Sequence, residues 1–163
     1  MDKRVHIVLD LDGTLLYDCN TRPHLDEFLR FCFQRFASVS IWTAASRDWW
    51  LHCWSNHMRQ FDFTRVLTSK DCVCSGRGFY NSTGDAVVTK PLRKLWDDPS
   101  NDMEEYNTLV VDDTPQTAIE NAANFIAISS YIYGDDDEGL IHLQKRLKEM
   151  MESYSKTHDI RNC

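Results

Sequence analysis

At 163 residues the chain has room for one domain and little space for a second. Its apolar content is that of a soluble globular protein, and its longest apolar runs, at residues 108–111 and 125–128, are strand-length and far too short to span a bilayer. A net charge of −7 excludes a whole-chain basic footprint for nucleic acid.

Residues 5–9 form a short β-branched run that reads as a buried strand, and Asp12-Gly13 gives a turn directly after it. The run stops at Asp10, so it does not have the form of a signal peptide, and an intracellular protein of nucleus or cytosol is expected. After Pro23, the three- and four-residue spacing of Leu25, Phe28, Leu29, Cys32 and Phe36 predicts a helix. Residues 39–42 read as a second strand, and Ser46 as the N-cap of a helix carrying Trp49, Trp50, Cys53, Trp54 and Met58. Residues 64–89 are richer in glycine, with brief apolar runs at 66–67 and 86–88, and read as a small hairpin-like β insert. Pro91 suits the first turn of a helix through Leu92, Leu95 and Trp96. Residues 107–111 are a third strand, Pro115 starts a helix through Ala118, Ile119 and Ala122, and 125–128 are a fourth strand. The acidic run at 135–138 reads as a solvated loop, and 137–155 as an amphipathic final helix that docks on the sheet. Alternating strands and helices predict a single α/β domain over 1–163, Rossmann-like, with a mostly parallel sheet flanked by helices.

In such sheets ligands bind beyond the carboxyl ends of the strands, and three of the four strands are followed there by Asp10, Thr43 and Asp112. Asp10 and Asp12, two residues apart, can approach one site. One carboxylate can attack phosphorus while the other moves a proton to the leaving group. A strand-end hydroxyl at Thr43 can bind a phosphoryl oxygen, Lys90 can offset phosphoryl charge, and the pair Asp112-Asp113 can complete a site for a hard cation such as Mg²⁺. There is no GxGxxG and no phosphate loop ending in Lys-Ser or Lys-Thr. The six cysteines lack paired CxxC spacing and read as free thiols. His52, Cys53, His57, Cys72 and Cys74 match no standard zinc spacing, and the tryptophan-rich helix reads as core rather than a platform for bases.

The ordered set DLDGT, strand-end Thr43, Lys90 and Asp112-Asp113 resembles the haloacid dehalogenase superfamily. The segments DLDGTLL at 10–16, RPHLDEFL at 22–29, IWTA at 41–44 and NTLVVDDTP at 107–115 resemble the FCP/SCP phosphatases within it, over about the first four-fifths of the chain. Those enzymes act on phosphoserine in the C-terminal repeats of RNA polymerase II. The resemblance implies Asp10 as nucleophile, through an aspartyl-phosphate, and Asp12 as general acid and then base. It implies Mg²⁺ held by the Asp10 side chain, the Asp12 carbonyl and Asp113, with Asp112 in support. Thr43, Ala44 and Lys90 would hold the phosphoryl group, Thr14 would fix the loop, and Arg77 resembles a substrate-contacting arginine. The implied partner is a phosphorylated protein, with no direct nucleic acid and no membrane. The stretch between Gly78 and Lys90 is longer than in compact SCP-type members, and Asp113 matches the FCP-like variant. A chain of this size resembles stand-alone or virally encoded members. Alternatives are a phosphatase of small molecules or nucleic-acid ends, and a non-catalytic phosphopeptide-binding relative. In a phosphorelay receiver the acidic pair comes early, whereas here it comes last.

Overall fold

In a computed structural model, residues 4–74, 88–134 and 136–163 are described. The elements in chain order are β1 (His6–Leu9), β2 (Leu16–Tyr17), β3 (Asn20–Thr21), α1 (Leu25–Arg35), β4 (Ser38–Trp42), α2 (Arg47–His57), β5 (Val66–Leu67), β6 (Val73–Cys74), β7 (Val88–Thr89), α3 (Arg93–Trp96), β8 (Thr108–Asp112), β9 (Phe125–Ala127) and α4 (Gly139–Thr157). Five strands form one sheet in the order β5-β4-β1-β8-β9, and every adjacent pair is parallel. The α/β class expected from the alternation is the class observed.

β1 lies at the centre, buried along its whole length, as a strand covered on both faces must be. Side chains alternate across it. Ile7 and Leu9 join Leu109, Val111, Val39 and Ile41 in a core closed by apolar residues of α1, α2 and α4. Val8 faces the other way, with Trp42 and Val110, toward Leu92, Leu95, Met103 and Ala118. The α4 residues Leu140, Leu143, Leu147 and Tyr154 supply the stripe that seats this last helix in the larger core. Ser46 caps α2 as expected, its side chain accepting from the Trp49 backbone N–H at 3.2 Å. No helix among the described residues is long and apolar enough to cross a membrane.

Several elements differ from the sequence reading. Val66–Leu67 is not part of a separate insert: it forms the edge strand of the main sheet, paired with Ile41 and Trp42. Its partner strand is set by chain return after α2, which periodicity over two residues cannot reveal. The β ribbon is narrower, with β6 antiparallel to β7. The helix expected from Pro91 is one turn, Arg93–Trp96. The helix expected from Pro115 is replaced by two short 3₁₀ turns, Pro115–Ala118 and Ala122–Asn124. Polar side chains there serve other backbone: Asn121 accepts from the Leu92 N–H at 3.1 Å, and Asn124 donates to the Thr108 carbonyl at 2.8 Å. The final helix runs Gly139–Thr157 rather than 137–155. Asp137, read as part of a solvated run, is tied to buried Arg22 by bonds of 2.7 and 3.0 Å.

Candidate active site

The parallel register brings the carboxyl ends of β1 and β8 level: Leu9 pairs with Val111, so Asp10 and Asp112 follow side by side. The Asp10 N–H donates to the Val111 carbonyl at 2.9 Å, extending the ladder into the site. Lys90 approaches from the segment after β7. Its backbone N–H donates to the Thr117 carbonyl at 2.7 Å, fixing the stem. Its Nζ then donates to Asp10 Oδ1 and to Asp112 Oδ2, both at 2.6 Å. All three side chains are nearly inaccessible, at 2%, 8% and 1% exposure for Lys90, Asp10 and Asp112. A buried lysine persists only when paired, and here two carboxylates share it.

Each acid has further partners. Thr14 Oγ1 donates to Asp10 Oδ2 at 2.9 Å. Asp112 accepts from Thr117 Oγ1 at 2.9 Å and from the Thr114 N–H at 2.8 Å. Asp12 turns the other way: Oδ1 accepts from Trp49 Nε1 at 2.9 Å, and Oδ2 lies 3.5 Å from the Thr43 hydroxyl. That hydroxyl accepts from the Ala45 N–H at 3.0 Å. Ala44 lies in the exposed turn just after Thr43. Arg77 lies outside the described residues.

The electrostatics follow from burial. Burial pushes Asp10 up to about 7 against the opposing pull of Lys90, and the neighbouring Asp112 charge adds to the rise. Asp12 is raised by burial, with the Trp49 and Thr43 bonds opposing it. Asp113 is raised by burial, with Ser130 opposing. Burial draws Lys90 down, but the Asp10 and Asp112 charges outweigh it and hold the ammonium well above its ordinary range.

Carboxylate oxygens of Asp10, Asp112 and Asp113 lie within 4.8 Å of one another. Ionised, these three acids carry one charge each against the single charge of Lys90, so the pocket is short of positive charge by two. The donors are all hard oxygens, which suits a divalent cation such as Mg²⁺. The residues present therefore fit that metal, and the Asp10, Asp112 and Asp113 carboxylates could supply its side-chain ligands. The Asp12 carboxylate is outside this cluster.

A scan of protein families matches the NLI interacting factor-like phosphatase model over residues 5–161. The chain belongs to this family. Its members are phosphatases, the enzyme class expected from the motifs. The CTD phosphatase-like protein 355R of invertebrate iridescent virus 3 is 27% identical over 146 residues, covering 81% of this chain and 73% of the viral protein. Among solved structures, Fcp1, an essential RNA polymerase II CTD phosphatase, superposes with a TM-score of 0.71 at 15% identity, over 93% of this chain and 63% of its own. A fission yeast Fcp1 variant bound to beryllium fluoride gives 0.59 at 18% identity, over 93% of this chain and 52% of its own. The chain thus spans less than two thirds of these structural relatives, and at such identities the likeness concerns the fold.

The structure gathers Asp10, Asp12, Thr14, Thr43, Lys90, Asp112 and Asp113 at the carboxyl end of the sheet. Sequence reasoning missed Trp49, Thr117 and Ser130. The sequence reading places Trp49 in the core, yet its position in the first turn after a strand-end Thr is a signal that its ring can reach back over that strand end.

Proposed function

We propose that this NIF-like phosphatase is a Mg²⁺-dependent, aspartate-based hydrolase of phosphoserine or phosphothreonine in proteins, with segments like the polymerase C-terminal repeats as the leading substrate class. One observation carries the chemistry: two carboxylates on one loop sit in opposite environments. Asp10 is clamped by a lysine and a hydroxyl, and Asp12 is held apart from that cluster. Asp10 is the nucleophile. An oxygen of its carboxylate attacks phosphorus while the bond to the serine oxygen breaks, giving an aspartyl-phosphate. Asp12 gives its proton to the departing serine oxygen. Water then attacks the aspartyl-phosphate, Asp12 takes the water proton, and inorganic phosphate leaves with Asp10 restored. Lys90 and Thr43 bind the phosphoryl oxygens, placing positive and hydrogen-bonding groups where charge accumulates. Asp10, Asp113 and the Asp12 carbonyl, with Asp112 in support, would hold Mg²⁺, which would supply charge neutralisation at the phosphoryl group. The viral relative and the Fcp1 likeness support the protein-substrate assignment.

The deciding experiment is hydrolysis of p-nitrophenyl phosphate with Mg²⁺ or with chelator, for wild type and Asp10→Asn. Turnover that needs Mg²⁺ and falls at least a thousandfold in Asp10→Asn is expected. Turnover that survives Asp10→Asn would sink the proposed chemistry. A panel of phosphorylated peptides, with polymerase repeats among them, then resolves the substrate; faster turnover of a small phosphomonoester than of every peptide would refute the protein assignment.

A further inference from the structure

The Asp12 carboxylate is the proton carrier of the proposed reaction, and the two halves of its environment are unequal. Oδ1 receives the Trp49 indole N–H at 2.9 Å. Oδ2 lies at a longer 3.5 Å from the Thr43 hydroxyl. An indole N–H can donate but never accept. In a neutral carboxyl the carbonyl oxygen is the stronger acceptor and the hydroxyl oxygen the weaker, so the indole N–H favours Oδ1 as the carbonyl oxygen when Asp12 is protonated. The transferable proton is thereby favoured on Oδ2.

The indole is itself fixed. Trp49 is the third residue of α2, and its backbone N–H is taken by the Ser46 cap at 3.2 Å. Its ring stacks on His52, with centroids 5.8 Å apart and planes 29° apart, and it packs against the main core. On the strand side, the Thr43 hydroxyl accepts from the Ala45 N–H at 3.0 Å, which leaves its own proton free to turn toward Asp12 or toward a substrate oxygen.

We infer that Trp49 is a positioning residue for proton transfer: its N–H holds one oxygen of Asp12 so that the other presents the proton to the leaving group and later collects it from water. The inference rests on the phosphatase reading above. It identifies a role that a tryptophan in the core of α2 would not have, because a purely packing residue has no need of its ring nitrogen.

The role is separable by leaving group. A p-nitrophenolate departs with little protonation, whereas the alkoxide of serine needs the acid, so misplacing the Asp12 proton penalises the second more. Trp49→Phe keeps the ring and removes the donor. General acid catalysis is worth about a hundredfold or more in rate. The ratio of kcat/KM for p-nitrophenyl phosphate to that for a phosphoserine peptide, which reports the step that expels the leaving group and not the shared hydrolysis of the aspartyl-phosphate, should therefore rise tenfold or more in Trp49→Phe. Equal losses on both substrates would mark a structural role and overturn the inference alone. Absence of turnover of either substrate by wild type would overturn the phosphatase reading and the inference with it. A second measurement does not use activity: the indole ¹H–¹⁵N resonance, assigned by its loss in Trp49→Phe, should move upfield in Asp12→Ala as the carboxylate acceptor disappears. A resonance that stays in place would refute the contact.

Discussion

At Gly13 the backbone has φ +82°, and a Cβ built there would collide with the Asp113 carboxylate and crowd Ser130 at 3.1 Å. Both the conformation and the space require glycine. Gly13→Ala is expected to cost about 1–3 kcal/mol of stability by urea denaturation and to lower turnover at least tenfold, because the only relief is to move Asp113. Full stability in that variant would contradict the geometry. Lys90 poses the opposite problem. Its single ammonium is shared between two buried carboxylates at 2.6 Å. Lys90→Met removes that charge and is expected to destabilise the fold by about 3–5 kcal/mol in chemical denaturation. A loss below 1 kcal/mol would mean that the acids find other compensation.

Among the elements, β1 and β4 are joined at their amino ends by His6. Its Nδ1 lies 2.8 Å from the Ser38 hydroxyl, its partner in the parallel register. Nε2 is 3.5 Å from the exposed Asp102 carboxylate but makes no hydrogen bond to it. Burial therefore outweighs that charge and lowers the histidine pKa. A lowered folded-state pKa means stability that is full above the unfolded value, about 6.5, and lost as pH falls through it. Wild type should lose stability between pH 7.5 and 5.5, and His6→Gln should lose less over the same window; parallel curves would exclude His6 as the cause.

Arg22, just after β3, ties four segments together. It donates to the Thr14 carbonyl at 3.1 Å, to the Ser129 carbonyl at 2.9 Å and to Asp137 just ahead of α4, and it lies over the Tyr131 ring. The hydrogen bonds from Arg22 hold the Asp137 carboxyl below the usual carboxylate range. Its contribution is present above the unfolded value of about 3.9 and fades as pH drops through the lower folded one. Asp137→Asn should cost about 1 kcal/mol at pH 7, a figure discounted for partial solvent screening, and the gap from wild type should close near pH 2. A gap that persists there would assign the effect to packing.

For the molecule as a whole, what the sequence exposes depends on range. Asp10, Asp12, Asp112 and Asp113 are legible because each follows an apolar strand, and strand ends are where such sheets place chemistry. Lys90 is legible through the Pro91-Leu92 that follows it and its order among the other motifs. The Trp49 contact is not, since it depends on the angle at which α2 leaves β4 and on which ring edge faces the loop. The Arg22–Asp137 pair spans 115 positions, and no local pattern announces it; composition alone places Asp137 in solvent. β5 escapes the sequence pattern for a related reason: two residues carry no period, so only the returning chain decides which sheet they join.

The lysine clamp has a consequence for how the protein acquires activity. Asp10 and Lys90 are 80 residues apart in the chain, and Lys90 and Asp112 a further 22. A centre closed by such distant partners gains nothing from early, local helix formation, because the loop-closure entropy must be met before the contacts return any energy. During refolding, helical signal should recover first and catalysis last, so that turnover itself reports completion of the fold.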